Sequence, residues 1–122
     1  MTHKVDEYNQ LIGSKKEEID HLLVEKKEIN NLLNDYHDII QTSIRFNQHL
    51  AERYYESHML MNIEQNNDMF HSGQHQTMDA IYEQQQAIDK DIRHLNENIE
   101  DIERRRNIAL QIEEKGGQHN EY

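Results

Sequence analysis

Apolar residues recur in this chain at alternating steps of three and four, and this spacing restricts the fold more than any other feature. From Val5 to Ile40, nine of the eleven positions in the series are apolar, and a second series of nine positions runs from Ile81 to Ala109. Such spacing places one apolar line along an α-helix, and two lines of this length are typical of coiled coils. The sequence therefore predicts an all-α fold, a long, coiled-coil-like, antiparallel two-helix hairpin.

The distribution of the apolar residues distinguishes the predicted helices from a disordered chain. Only 34% of the residues are hydrophobic, which is compatible either with a disordered chain or with helices that bury one narrow line. The apolar residues are concentrated in the two series, which favours helices. The absence of proline agrees, because uninterrupted helices exclude it. Four further apolar residues flank the first series and widen it: Leu11, Leu23, Leu32 and Ile39.

Helix boundaries follow from the few glycines and capping residues. Gly13 interrupts the first series, and Ser14-Lys-Lys-Glu17 has the form of a capping box at a helix start. Gly116-Gly117 has the form of a helix stop. We therefore expect an amphipathic lead-in over 1–13, the helical hairpin over 14–115 and a flexible tail over 116–122.

The interior turn is predicted near 66–74. Gln65–Gln74 is the polar, glycine-containing interior stretch, with Asp68 or Ser72 available as the N-cap of the second helix. A turn there leaves the line from Val5 to Leu22 without a partner in the same chain. The sequence therefore predicts a protein partner, with contacts at two places: Val5, Ile12, Ile19, Leu22 and Leu23 on the first helix, and Met59, Met61, Met69 and Phe70 at the tip.

Polar residues within the two series have two readings. Gln85 and Arg106 occupy positions of the second series, where buried polar groups can specify register and partner choice. The alternative is that both are half-exposed and specify nothing. A turn at residue 70 would bring Gln85 opposite Tyr54 and Tyr55, and Arg106 near Asp35.

Catalytic and metal-binding residues do not form a convincing set. Without cysteine there is no thiol nucleophile and no thiolate zinc site, and no glycine-rich phosphate loop is present. His21 and His94 follow carboxylates at di-iron spacing, but the neighbouring Ile19 and Ile92 occupy the apolar line and turn both imidazoles outward. The formal charge of -11 disfavours nucleic acid. We expect no enzyme activity, no cofactor, no metal and no membrane span.

Several segments together resemble a known family. These are Asn67-Asp-Met-Phe-His-Ser-Gly-Gln-His-Gln-Thr-Met78, the stretch from Ile81-Tyr-Glu-Gln-Gln-Gln onward, and the ending Ile-Glu-Asp-Ile-Glu-Arg-Arg-Arg106. They resemble the small helical accessory proteins of LXG toxins in type VII secretion, distant relatives of the WXG-type helical hairpins. The likeness covers roughly residues 14 to 114 and is one of length, hairpin layout and residue texture.

The resemblance implies a partner and a route. Family members bind the long helical N-terminal domain of a toxin and are needed for its export. The chain departs from the family at the turn, where Phe70-His-Ser-Gly73 replaces Trp-x-Gly, and it lacks the carboxy-terminal aromatic-x-x-x-acidic export motif. These departures imply that this chain corresponds to the accessory partner that does not carry the export signal. The expected location is cytoplasmic, with export beside the toxin as an alternative, since no apolar signal-peptide core follows Met1.

Two functions remain open at the level of sequence. The first is a non-enzymatic helical adaptor that binds the helical domain of a larger protein, alone or with a second small helical partner. The second is a self-associating structural coiled coil, either a homodimer or a phage-type scaffolding component.

Overall fold

The computed structural model describes the backbone of residues 2–120 and the side chains of residues 3–116. Two helices account for nearly all of this range, α1 over Thr2–Arg53 and α2 over Leu60–Asn120. No strand occurs in the described range, and none of its residues has a positive φ. The two helices pack against each other, so the predicted all-α hairpin is confirmed.

The chain divides into two units. The terminal unit joins α1 up to Glu25 with α2 from Ala87 onward, and the turn unit comprises Lys26–Gln86. Each unit consists of one segment of α1 packed on one segment of α2. The core of each is correspondingly thin.

Isoleucines along the predicted apolar lines form the core. The buried side chains are Ile12, Ile88 and Ile99 in the terminal unit and Ile40 and Ile81 in the turn unit. All positions of the two predicted series are buried or half-buried. We call the inward positions of each unit its seam. The three-four spacing therefore predicted the packed face of both helices correctly.

The turn lies at residues 54–59, and the predicted turn near 66–74 is wrong. Backbone hydrogen bonds run from Ser57 N to Tyr54 O at 2.9 Å and from Leu60 N to Ser57 O at 3.1 Å. The Ser57 hydroxyl accepts a hydrogen bond from Met59 N at 3.1 Å, as an N-cap side chain does. Asp68 and Ser72, the predicted caps, are exposed residues inside α2.

Burial along the seam explains why the turn lies at 54–59 and not at the predicted 66–74. The stretch 65–74 contains Asn67, Phe70 and Gln74 at half-buried seam positions, so helix continues through it. Gly73 costs a helix about 1 kcal/mol relative to alanine. A fully buried isoleucine contributes about 1.5–3 kcal/mol. The register that buries Ile40 and Ile81 therefore outweighs the local preference of one glycine for a turn.

The predicted lead-in and tail are also wrong as separate segments. Helix α1 runs without interruption through Gly13 and Ser14, and Val5 and Tyr8 of the supposed lead-in are half-buried seam residues. Helix α2 continues past Gly116 to Asn120. Residues 121–122 of the predicted tail lie outside the described range.

Two polar seam positions form hydrogen bonds between the helices. In the turn unit Gln85 donates to Asn30 Oδ1 at 2.7 Å, and in the terminal unit Arg106 donates to Asn9 Oδ1 at 3.1 Å. These partners replace the predicted Tyr54, Tyr55 and Asp35. Arg106 is half-buried and its Nε lacks a hydrogen-bond partner. Both acceptor asparagines are exposed, so these hydrogen bonds compete with water and contribute only modestly to the choice of register.

A neighbouring pair of isoleucines tests the seam. Ile40 is 3% exposed and Ile39 is 58% exposed. We expect Ile40→Ala to lower the free energy of unfolding by about 2–4 kcal/mol, because it removes buried methyl groups and leaves a cavity. Ile39→Ala should change it by less than about 1 kcal/mol. Urea unfolding followed by circular dichroism measures both, and equal losses would contradict the assigned seam.

Two serines test the position of the turn. Ser57→Ala should destabilise the protein by about 1 kcal/mol because α2 loses its capping hydroxyl. Ser72→Ala should be neutral or slightly stabilising, since alanine is the better helix former at an exposed interior position. Thermal unfolding of the two variants distinguishes a turn at 54–59 from a turn at 66–74. A larger loss of stability in Ser72→Ala than in Ser57→Ala would contradict the turn at 54–59 and place it in the glycine-containing stretch.

Candidate protein-binding face

Four of the five residues predicted to contact a partner on the first helix belong to the seam. Ile12 is 5% exposed, and Val5, Ile19 and Leu22 are half-buried. The expectation that this line lacks cover within the chain is wrong, because α2 runs alongside it in the terminal unit. Leu23 differs from the others in being exposed. Its predicted contact with a partner stays a prediction.

The residues predicted at the tip do not form one patch. Met59 borders the turn, while Met61 and Met69 are exposed on different faces of α2. Phe70 is half-buried in the seam, with its ring edge against the His71 ring at 6.0 Å. The three methionines remain available for contact, so their predicted role stays a prediction.

A second apolar line lies beside the seam in the turn unit. Leu32, Ile39 and Phe46 are 56%, 58% and 62% exposed. They are spaced by seven residues, so they lie on one side of α1, directly next to the seam positions. The line extends over about 21 Å at 1.5 Å per residue. We call this side of the turn unit the apolar flank.

A shallow groove of about 280 Å³ runs between the helices on this flank. Its α1 wall is formed by Leu32, and Tyr36 and Ile81 belong to its floor. On the α2 side the groove is lined by the small residues Thr77 and Ala80 and by the longer Gln84. One turn earlier on the same side, Gly73 has no atom within 4 Å of where a Cβ would stand. A backbone could therefore approach α2 closely here.

The opposite side of the turn unit is mostly polar. On α1 it carries Asn30, His37 and Gln41, and Gln41 and His37 contact each other at 3.4 Å. On α2 it carries His71 and His75 among exposed residues, with Tyr82 as a half-exposed aromatic ring. Apolar surface therefore flanks the seam mainly on one side. A symmetrical coiled-coil pair would have no need for that asymmetry.

Acidic residues border the apolar flank. Glu28 and Asp35 lie one turn either side of Leu32, and both are exposed. Arg53, at the end of α1, lies over the Tyr54 ring at 5.9 Å. The turn unit as a whole has four basic and nine acidic side chains.

A smaller apolar area occurs in the terminal unit. Ile108 and Ile112 of α2 are 57% and 65% exposed, and they form a shallow groove with Tyr8 and Lys4 of α1. Leu11 is also exposed on α1. Arg105 borders this groove and pairs with Asp101 at 3.2 Å. The area is shorter than the apolar flank, and Glu113 lines a second groove beside Ile112.

The total exposed surface is large for a chain of this mass. It amounts to 9910 Å², whereas a compact monomer of 14.7 kDa would expose about 6900 Å². Typical partners in a stable complex each bury about 800 Å². The protein has ample surface for a standard interface without losing any of its own packing.

Histidines and carboxylates form pairs and not clusters. His3–Glu7, His49–Glu52 and His94–Glu97 are spaced by one helical turn at 3.4, 4.0 and 3.8 Å, with exposed side chains. Within the described range no three histidine or carboxylate side chains are placed to hold a metal ion. In the same range no helix has a stretch long and apolar enough to cross a membrane. The groove is lined by apolar, hydroxyl and amide side chains, which supply no acid–base pair.

Comparison with known proteins adds no name to this picture. No family model, curated protein or solved structure matches the chain significantly. The fold and the face therefore define a class by themselves: an all-α two-helix hairpin with one exposed apolar flank. The sequence contains a signal for that flank, the seven-residue spacing of Leu32, Ile39 and Phe46; the widening of the first series includes Leu32 and Ile39 but not Phe46.

Proposed function

We propose that this protein is a non-enzymatic helical adaptor. It binds the helical N-terminal domain of a larger secreted toxin of the LXG type and supports the toxin's stability and export by type VII secretion. The observation that carries the proposal is the apolar flank: Leu32, Ile39 and Phe46 remain exposed although the seam of the same helix is already covered.

Physical chemistry favours a helix as the occupant of this flank. A helix in a two-stranded coiled coil needs apolar residues only along its seam, whereas a helix in a larger bundle carries an additional flanking line. Helix α1 of the turn unit has both. A third helix laid beside Leu32 and Ile39 would complete a bundle of the ordinary kind and remove those side chains from water.

The resemblance to LXG accessory proteins supplies the partner class. Those proteins bind a long helical domain, and such a domain offers amphipathic helices of the required kind. The exposed surface of 9910 Å² also fits a chain that is completed by a partner. In this proposal the adaptor acts in the cytoplasm, either remaining there or leaving with the toxin by a route without a signal peptide.

Self-association is the second candidate, as a homodimer or a scaffolding coiled coil. The same apolar flank could pair with its copy across a two-fold axis. That arrangement brings two sets of Glu28 and Asp35 close together, and like charges oppose each other at an interface. We therefore place it second.

Co-expression tests the adaptor function. A tagged LXG-type helical domain encoded beside this protein should co-purify with it. Ile39→Glu should weaken the complex at least tenfold, because it places a charge in the centre of the apolar flank. Gln41→Glu adds the same charge to the polar side of α1 and should leave binding unchanged.

Ile39 is a better test position than a seam residue, because its side chain is exposed and is not needed for the packing of the hairpin. Ile12→Glu would place a charge in the hairpin's own core, so lost binding would report unfolding and not contact. Circular dichroism is the control that checks whether the Ile39→Glu and Gln41→Glu variants fold. Failure of the toxin domain to co-purify with the unaltered protein would refute the adaptor assignment.

A further inference from the structure

The packing between the helices thins toward the beginning of α1. Ile12 on α1 and Ile99 on α2 are 5% and 6% exposed, and among the described residues no side chain nearer to the start of α1 or the end of α2 is buried. Over residues 3–9, which we call the cover segment, Val5 and Tyr8 are half-buried and the others are exposed. The cover segment therefore adds little apolar burial, and such segments open locally before the rest of a protein unfolds.

Two grooves show that the cover segment does not fill the space beside α2. Their volumes are about 380 and 180 Å³, and both are lined by Lys4, Ala109 and Ile112. Glu113 also lines the larger groove, and Ile108 lines the smaller one. Ala109 is a seam residue, and its small side chain leaves room for a larger apolar side chain opposite it.

Arg106 lies in the same part of the seam without a carboxylate partner among the described side chains. Its guanidinium donates to Asn9 Oδ1 at 3.1 Å and to Asn107 Oδ1 at 3.5 Å, and its buried Nε has no hydrogen-bond partner. Both acceptors are neutral amides, whereas the neighbouring Arg105 pairs with Asp101 at 3.2 Å. A carboxylate binds a guanidinium more strongly than an amide does, so α1 satisfies Arg106 only in part.

We propose that the cover segment is displaceable and that a helix of the partner takes its place on α2. The inference deepens the proposed function and rests on it for the source of this helix. The seam of α2 is already a helix-binding face, and the incoming helix continues that interface where the cover segment leaves it. The occupant is amphipathic: one of its carboxylates pairs with Arg106, and a large apolar side chain covers Ala109.

Two exposed isoleucines favour this exchange of one helix for another. Ile108 and Ile112 of α2 are 57% and 65% exposed beside the seam, and they share their groove with Lys4 and Tyr8 of the cover segment. A partner helix with apolar residues in those places would remove both isoleucines from water. The cover segment leaves that apolar surface unused, so a better-matched helix can replace it.

Hydrogen exchange of the full-length protein tests whether the cover segment opens. Asn9→Asp keeps the shape of the side chain and gives Arg106 a carboxylate, so exchange of the amides of residues 5–12 should slow about fivefold. The control Gln10→Glu adds the same charge on the exposed side of α1 and should leave this exchange unchanged. In the background of Arg106→Gln, Asn9→Asp should lose its effect, because the pairing group is absent.

Affinity measurements with the tagged LXG-type helical domain test the occupant. Asn9→Asp should weaken binding about fivefold relative to Gln10→Glu, because the domain must then displace a more stable cover segment. Arg106→Gln should also weaken binding about fivefold, since the partner's carboxylate loses its charged partner. The control Arg104→Gln removes the same charge from an exposed position of α2 and should bind normally.

Each contrary outcome overturns the inference. If the cover segment exchanges as slowly as residues 33–40, or if Asn9→Asp and Gln10→Glu slow exchange equally, it is not a cover that Arg106 holds. Equal affinities of these two variants for the toxin domain would exclude displacement. An unchanged affinity of Arg106→Gln would exclude a partner carboxylate at this site.

The two proposals fail in distinguishable ways. If the toxin domain co-purifies, is weakened by Ile39→Glu and binds Asn9→Asp normally, the adaptor function stands and the displaced cover is refuted. If no toxin domain co-purifies with the unaltered protein, the adaptor assignment and this occupant are both refuted. Hydrogen exchange then still decides whether the cover segment opens.

Discussion

Burial of a line of isoleucines between two helices is the interaction on which the rest of this structure depends. Five isoleucines are nearly inaccessible, and no described side chain is buried below 2% exposure. The core is therefore one residue thick, and each helix keeps most of its circumference in water. Register, turn position and the identity of the exposed faces all follow from which residues this line occupies.

A thin core explains why surface residues carry the functional hypothesis. In the described part of the chain the two packed helices form shallow grooves that are open to solvent. They also provide a long surface with a distinct character on each side of the seam. In the turn unit one side combines Leu32, Ile39 and Phe46 with Glu28 and Asp35, and the other is mostly polar. Such asymmetry is useful for recognising one helix among many.

The displaced turn shows how local and long-range preferences compete. Gly73 and its polar neighbours have the residues of a turn, yet they lie in the interior of α2, while residues 54–59 turn without glycine or proline. Ser57 replaces the missing turn chemistry with a capping hydroxyl. A turn near 66–74 would leave Val5–Leu22 as the uncovered partner surface. The turn at 54–59 covers that line, and the apolar flank of the turn unit stays exposed. The position of six residues thus decides which surface of the hairpin is available to a partner.

The sequence by itself determined the helical class and the packed face, because the three-four spacing is a local property that depends only on the geometry of one helix. It also contained the heptad line through Leu32, Ile39 and Phe46. Only the tertiary structure decided where the chain reverses, that Val5–Leu22 is covered, and that Leu32 lies opposite Thr77 and Ala80. These facts depend on pairing between residues far apart in the chain, where the summed burial along the seam outweighs any single turn signal.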